Sequence, residues 1–170
     1  MNIMPGTSVN SADASALKRL GQGYCWEDLR VGQRFDTFRR TITETDLVNF
    51  ISVTGMVEAI FIDATFQEGA IAGRPVPGAL TYTLIEGFIL QSMIQGTGLA
   101  MLELTQSIHA PVVVGDTIGA EIEVSEIRPT SSGGRAVVSS KIRVINQRSK
   151  CVMTYTATRL LAGRKLKEES

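Results

Sequence analysis

Residues 77–95 read PGALTYTLIEGFILQSMIQ, a run that carries one charged residue, Glu86. Drawn as a helix, the run has apolar side chains on nearly every face, and a helix of this kind must be covered by protein. Gly78 stands at its beginning, and Gly96 and Gly98 are expected to end it near residue 95. The run therefore predicts one buried central helix, and the rest of the fold has to enclose it.

Downstream of this helix, apolar and polar residues alternate as they do in half-buried strands. One such run is IGAEIEVS over 118–125, and another is VSSKIRV over 138–144. Turn-forming residues separate the runs, SSGG at 131–134 and NQRS at 146–149. This half of the chain is predicted to form an antiparallel meander with one buried face. Its predicted strands are 99–110, 116–128, 135–146 and 150–161.

Upstream of the central helix, the pattern indicates a strand and then a short helix. The strand is predicted over 34–42. Thr43 can accept a hydrogen bond from a backbone N–H, and Asp46 lies three residues on, near the positive end of the helix. The helix is predicted to reach about Gly55, and residues 56–77, which contain several glycines and prolines, are predicted to be irregular.

One buried helix and about five antiparallel strands fit together when the sheet curls around the helix. We therefore predict an α+β hot-dog fold, in which an antiparallel β-sheet is wrapped around a central α-helix. A single sheet of this kind leaves an edge and apolar surface exposed, so a homodimer or a higher oligomer is expected. Residues 21–162 are expected to form this one domain, between a flexible leader over 1–20 and a charged tail over 163–170.

The composition narrows the classes of function. The chain has 170 residues with 17 basic and 17 acidic side chains, and a formal net charge of zero argues against nucleic-acid and membrane-surface partners. The central apolar run is too short for a membrane span. Cys25 and Cys151 lie far apart, and the first twenty residues show no secretory signal, so a cytoplasmic location is expected.

Three blocks of sequence carry a family resemblance. They are DLRVGQRF with TITETD within 28–46, GRPVPGAL at 73–80, and APVVVGDTI at 110–118. In this order they resemble the MaoC-like dehydratases and (R)-specific enoyl-CoA hydratases, over about residues 24–161. The resemblance implies an acyl-CoA or acyl-carrier thioester as partner and a place in fatty acid metabolism. It implies no metal and no cofactor, since coenzyme A enters only as part of the substrate.

The catalytic segment of that family is altered here. Family members carry glycine–aspartate–x–asparagine–proline–x–histidine after the first helix, and the aspartate and histidine flank the water that adds across the enoyl double bond. This chain reads GMVEAIF at 55–61, with Met56 at the aspartate position and Phe61 at the histidine position. Neither side chain exchanges a proton. The two substitutions would instead enlarge the apolar surface that contacts the substrate.

The family's glycine at the start of the central helix is retained as Gly78. The first N–H groups of a helix have no partner inside it. A donor at this point can polarise a thioester carbonyl and hold the charge that develops on its oxygen. The resemblance therefore predicts substrate binding at Gly78. The alternative is a proline–glycine pair that starts a helix and binds nothing.

Three more side chains are candidates, each with a structural alternative. Glu58 is an ionisable group within the altered segment and would suit acid–base work, or it is a solvated loop residue. Glu86 resembles the helix carboxylate that some hot-dog thioesterases use as a base, or it makes a buried structural hydrogen bond. Arg74 precedes the helix and would meet a coenzyme A phosphate, or it is an ordinary surface arginine.

The sequence thus predicts a MaoC-like acyl-CoA hydratase or dehydratase homologue, a hydro-lyase with non-standard or reduced catalysis. Water addition would require another carboxylate, either Glu58 or Glu86. The second hypothesis is a hot-dog acyl-CoA thioesterase in which one of these two residues activates water at the carbonyl. The third is a catalytically silent subunit that binds an acyl thioester or stabilises an active paralogue.

Overall fold

The computed structural model describes residues 20–66, 71–131 and 133–164. The predicted leader lies outside the described residues except for its last position, and so does the tail beyond residue 164. The helices are α1 (Glu44–Thr54), α2 (Ala59–Ile62) and α3 (Gly78–Gln91), with a short 3-10 helix at Trp26–Asp28. The strands are β1 (Arg34–Asp36), β2 (Arg40–Thr41), β3 (Gly98–Ile108), β4 (Thr117–Pro129), β5 (Arg135–Ile145) and β6 (Cys151–Ala162).

The strands form one antiparallel sheet in the order β1–β4–β5–β6–β3, and β2 also pairs with β4. Apolar side chains of α3 and of the long strands pack into one buried cluster. From α3 these include Leu80, Ile85 and Ile89, and from the sheet Val124 and Ile142. The predicted α+β hot-dog arrangement is confirmed. Within the described parts of the chain, no helix has the length and apolar composition that a membrane span requires.

The predicted meander is wrong for β3, which lies at the far edge of the sheet beside β6. Gly98 opposes Leu161 and Ile108 opposes Met153. The chain then crosses the beginning of α3 through residues 109–116, which we call the crossing loop, before β4 begins beyond β5. This loop is hydrogen-bonded to the segment before α3, because Val76 N–H donates to Val112 O at 3.0 Å. Because of this pairing, the chain crosses to the other side of the sheet, and β3 and β4 do not form a hairpin.

The prediction of one buried face holds for β4, β5 and β6 but not for β3. All 11 residues of β3 are exposed. The strand is an edge strand, and no other element among the described residues covers it. Its exposed large apolar side chains are Leu99, Met101, Leu102, Leu104 and Ile108.

The predicted strand over 34–42 is interrupted. Asp36 opposes Glu121 and Arg40 opposes Ile118, so this chain carries one residue more than β4 between the two pairs. At the interruption, the Thr37 hydroxyl accepts a hydrogen bond from the Ala120 N–H at 2.9 Å. A side chain thus replaces a main-chain acceptor, and the strand divides into β1 and β2 at a bulge.

Local signals placed the start of α1 correctly. Thr43 Oγ1 accepts from Asp46 N–H at 3.2 Å, and the Asp46 carboxylate accepts from Thr43 N–H at 2.8 Å. Gly55 ends the helix with φ of 71°. The stretch predicted to be irregular contains α2, in which Glu58 O accepts from Phe61 N–H at 2.8 Å.

Helix α3 ends at Gln91 rather than near residue 95. The Ser92 hydroxyl donates to Phe88 O at 2.6 Å, and Tyr24 N–H donates to Met93 O at 2.8 Å. The segment before the 3-10 helix therefore hydrogen-bonds to a main-chain carbonyl just past the end of α3. The sequence pattern within the helix does not reveal this contact.

Candidate functional site

A cavity of about 200 Å³ lies beside the first turn of α3. Gly78 and Thr81 border it from α3, and Ile60 and Phe61 border it from α2. None of the described side chains that line it is ionisable. The rest of this lining is apolar and includes Pro75, Val76, Ile108, Ala110, Val112 and Met153. The cavity therefore suits a small apolar group.

The crossing loop forms one wall of the cavity and is held on both sides. Val114 N–H donates to Arg74 O at 2.9 Å on the side of α3. The buried Asp116 carboxylate accepts from Val113 N–H at 3.1 Å and from Gln147 Nε2 at 2.6 Å on the other side. These contacts fix the wall against the beginning of α3.

The beginning of α3 is open to the cavity. Pro77 precedes the helix, and no side chain caps it. The first amides of a helix lack helical partners and lie at its positive end, so Gly78 N–H remains suited to an oxygen acceptor. Ile108 Cδ1 lies 2.5 Å from the position that a Cβ on residue 78 would take. A side chain at residue 78 would therefore displace the end of the exposed Ile108 side chain, which can move, so this contact favours glycine without requiring it.

Thr81 is the polar side chain of this cavity wall. The residue is 1 % exposed, and its Oγ1 has no hydrogen bond partner. Most buried hydroxyl groups in proteins are paired, so this one is unusual. The sequence analysis did not select Thr81. A threonine within an apolar helix was visible, but the lack of a partner depends on neighbours that only the fold brings together.

The altered segment contributes Phe61 to the cavity but not Met56 or Glu58. Met56 is 40 % exposed and lies outside the described lining. Glu58 is exposed, and its carboxylate accepts from Ala59 N–H at 3.1 Å at the beginning of α2. Of the two positions that the resemblance matches to the family's proton-transfer groups, Phe61 borders this cavity and Met56 does not. The observed contact of Glu58 is that of a helix cap.

Arg74 ties three elements together next to the cavity. Its Nη1 lies 2.5 Å from the Glu44 carboxylate of α1, and its Nη2 donates to Phe61 O of α2 at 3.0 Å. The side chain is 31 % exposed. Arg74 therefore positions the backbone of Phe61 and keeps part of its guanidinium accessible.

A second, more polar cavity of about 380 Å³ adjoins the first. Asp63 and Arg74 border it, and it shares Ile60, Ile71 and Pro75 with the first cavity. Hydrogen bonds from the Thr65 hydroxyl and N–H hold the pKa of Asp63 below its ordinary value, so this carboxylate is ionised at neutral pH. An apolar and a polar compartment thus lie side by side at the beginning of α3.

Glu86 lies outside both of these cavities, eight positions after Gly78 and thus roughly 12 Å along the helix axis. It borders a separate cavity of about 380 Å³ together with Tyr82 and Arg159. It is buried and accepts hydrogen bonds from Tyr155 Oη at 2.8 Å and Arg159 Nη2 at 2.6 Å. Burial, and then the neighbouring Glu86, raise the pKa of Tyr155, so the phenol stays protonated as the donor. These contacts match the structural alternative for Glu86, since its charge is balanced inside the protein.

Comparisons with known proteins agree on one family. The family profile described as "FAS1-like, dehydratase domain region" matches residues 30–155. A 3-hydroxybutyryl-CoA dehydratase of Methylorubrum extorquens is 25% identical over 117 residues, which are 69% of this chain and 74% of that relative.

Two solved structures extend the agreement to the fold. A MaoC-like dehydratase from Rhodospirillum rubrum has 25% sequence identity and a TM-score of 0.75, over 84% of this chain and 99% of that chain. The unliganded R-hydratase PhaJ1 from Pseudomonas aeruginosa has 29% identity and a TM-score of 0.68, over 84% and 87% of the two chains. These relatives are dehydratases and hydratases by name. The chain belongs to the FAS1-like dehydratase region family and is a MaoC-like hot-dog protein.

Proposed function

We propose that this chain binds an acyl thioester at the beginning of α3 and acts as a MaoC-like hydratase or dehydratase homologue with reduced catalysis. The observation that carries the proposal is the apolar cavity at the open end of a 14-residue helix. The thioester oxygen accepts from Gly78 N–H, where the helix end stabilises negative charge. The acyl chain occupies the apolar cavity.

The carrier part of the thioester would lie in the adjoining polar cavity. Arg74 borders that cavity, and a guanidinium has five N–H donors, more than the contacts to Glu44 and Phe61 use. A coenzyme A phosphate or a carrier-protein phosphopantetheine would be attracted to this charge. The role of Arg74 in binding is therefore compatible with its role in holding α1 and α2.

Reduced catalysis follows from the chemistry of the lining. Water addition to an enoyl thioester needs one group that takes a proton from water and one that delivers a proton to the α-carbon. Phe61 supplies neither, and none of the other described lining side chains ionises. Glu58 is at the surface and Glu86 is paired with Arg159, so neither is placed to activate water in this cavity. Binding without efficient turnover is the expected behaviour.

We propose a homodimer formed through β3. Its exposed backbone edge and its five exposed large apolar side chains form a surface that a second copy would cover by strand pairing. Light scattering tests this assembly, since a mass near 18.4 kDa would mean a monomer and contradict it.

Titration calorimetry with crotonyl-CoA and butyryl-CoA tests the binding proposal on the full chain. Loss of enoyl absorbance and release of free thiol are followed on the same sample. We expect binding of both esters, slow hydration and no thiol release. Absence of binding would overturn the proposal, and rapid thiol release would identify a thioesterase instead.

Phe61→His, alone and combined with Met56→Asp, tests the explanation of reduced catalysis. General acid–base groups contribute about 10²–10⁴-fold to rates, so a hydration rate at least tenfold above that of the wild type is expected. Phe61→Gln with Met56→Asn is the matched control, because it adds polarity without a proton donor or acceptor of suitable pKa. Equal rates in the control and the histidine variants would contradict the explanation.

A further inference from the structure

The cavity that Glu86 borders lies beside the exposed strand β3 and has a volume of about 380 Å³. We call it the edge cavity. Residues 98–101, at the beginning of β3, form one of its walls. The pairing of β3 with a second copy, as proposed above, would therefore place residues of the partner subunit next to this cavity. Its other lining residues are Tyr82, Glu86 and Leu90 of α3, Ile94, and Arg159 of β6.

The charged groups of the edge cavity are only partly paired. Arg159 Nη2 and Tyr155 Oη both donate to the same oxygen, Glu86 Oε1, at 2.6 and 2.8 Å. Glu86 Oε2 and Arg159 Nη1 have no hydrogen bond partner among the described residues. Arg159 Nε is enclosed, but these two atoms are not, and the Glu86 and Arg159 side chains remain 10 % and 7 % exposed. The pair thus offers one free acceptor and one free donor to a group that enters the cavity.

A carboxamide matches this pair, because it carries a C=O acceptor and N–H donors on one group. A carboxylate would be repelled by Glu86 and an ammonium group by Arg159, and an apolar group would leave both free atoms unpaired. Strand β3 carries one carboxamide side chain, that of Gln106. Gln106 is exposed, and its amide has no hydrogen bond partner within the described parts of its own chain.

Gln106 lies on the face of the sheet that carries α3. It opposes Tyr155 of β6, and directly opposed residues of an antiparallel pair share a face. Tyr155 donates to Glu86 of α3, which fixes the face. A two-fold axis that pairs β3 antiparallel with itself stands normal to the sheet, so both copies of α3 lie on the same side. Gln106 of the partner subunit is then on the side of the edge cavity.

The register brings this side chain to the edge cavity. Pairing β3 with itself from end to end places Gln106 of the partner subunit opposite Ala100. A slip of one residue in either direction places it opposite Leu99 or Met101, and all three of these residues border the cavity. Met101 also lies on the α3 face, because it opposes Arg159 of β6. The placement therefore holds for each of these registers.

We propose that each copy of the homodimer inserts the Gln106 carboxamide into the edge cavity of the other copy, where it accepts from Arg159 Nη1 and donates to Glu86 Oε2. The inference rests on the homodimer through β3 that forms part of the proposed function. The side chain fits, because it has five non-hydrogen atoms and a cavity of about 150 Å³ already holds the six of benzene. The two-fold axis forms the contact twice in each dimer.

Sedimentation equilibrium of the full chain measures the dissociation constant of the dimer and tests the proposal. Gln106→Met keeps the length of the side chain and removes the amide, at an exposed position where folding is not at risk. One hydrogen bond to a charged group supplies about tenfold in affinity. Because the contact occurs twice, the dissociation constant is expected to rise about a hundredfold.

Thr105→Val is the matched control. Thr105 is also exposed and lies next to Gln106, but on the opposite face of β3, where it opposes Thr156. Its dissociation constant should equal that of the wild type. A loss of affinity as large as that of Gln106→Met would contradict a contact specific to the α3 face.

A second comparison locates the contact in the edge cavity. In the background of Glu86→Leu with Arg159→Leu, Gln106→Met should change the dissociation constant by no more than about twofold, as for sites that do not interact. A hundredfold effect in that background would mean that Gln106 contacts something else. Should the background not fold, Leu90→Trp fills the cavity from a half-exposed position and should weaken the dimer, and an unchanged dimer would contradict the proposal.

The outcomes separate this inference from the proposed function. If the wild type is a monomer, the homodimer through β3 is wrong and the inference fails with it. If the wild type is a dimer and Gln106→Met keeps its dissociation constant, the role of Gln106 is wrong while the homodimer stands. Thioester binding is measured independently by calorimetry in both cases.

Discussion

The first turn and the middle of α3 both bury a polar side chain, and they do so in opposite ways. In the middle, Glu86 meets Tyr155 at 2.8 Å and Arg159 at 2.6 Å. In the first turn, Thr81 meets no partner and borders a cavity. A buried carboxylate that is paired with two donors stabilises one packing arrangement, whereas an unpaired buried hydroxyl costs stability. The middle of α3 is thus a structural region, and its first turn is the region where we propose that the ligand binds, the proposed binding region.

The largest expected effect is at the structural region. Glu86→Leu leaves Arg159 buried without its counter-charge and should lower the free energy of unfolding by about 3–5 kcal/mol. Urea denaturation measures this loss. Glu86→Leu combined with Arg159→Leu removes both charges and should recover most of the stability. If Glu86→Gln instead abolished thioester binding or turnover at unchanged stability, Glu86 would belong to the proposed binding region. The division of α3 into a structural and a binding region would then be wrong.

A smaller effect of opposite sign is expected at the proposed binding region. Thr81→Val replaces an unpaired buried hydroxyl with a methyl group and should raise the free energy of unfolding of the ligand-free protein by about 1 kcal/mol. Thermal denaturation of the ligand-free wild type and variant measures the change. A clear destabilisation of the ligand-free variant would mean that the hydroxyl has a partner within the fold.

The smallest effect is expected at Glu58, an exposed residue at the beginning of α2. Glu58→Ala removes the hydrogen bond to Ala59 N–H at the beginning of a four-residue helix. Stability should change by no more than about 0.5 kcal/mol, as is usual for exposed positions, and thioester binding should not change. Loss of hydration activity in Glu58→Ala, with Glu58→Gln equally inactive, would instead show that the carboxylate takes part in the reaction.

Elements with local signals could be predicted from the sequence. The start of α1 followed from Thr43 and Asp46, and β4, β5 and β6 followed from alternation of apolar residues. The place of β3 beside β6 could not be predicted in this way. It depends on the crossing loop pairing with the segment before α3, which is a contact between distant parts of the chain.

The site was predictable only where a family motif marks it. Gly78 and Phe61 were selected through the resemblance, and both border the cavity. Glu86 had two open interpretations, and its observed partners lie 69 and 73 residues away in sequence. Thr81 carries no sequence signal, because an unpaired hydroxyl is defined by what surrounds it.

The sequence by itself determined that a nearly uncharged helix must be enclosed by a sheet. This is a property of residue type and spacing and needs no knowledge of neighbours. The replacement of the family's proton-transfer side chains by Met56 and Phe61 remains a prediction from the family resemblance. The tertiary structure alone decided that Glu86 of that helix is paired inside the protein and that the Thr81 hydroxyl is left without a partner. Hydrogen bonds and cavities form between residues far apart in the chain, so only the folded arrangement fixes them.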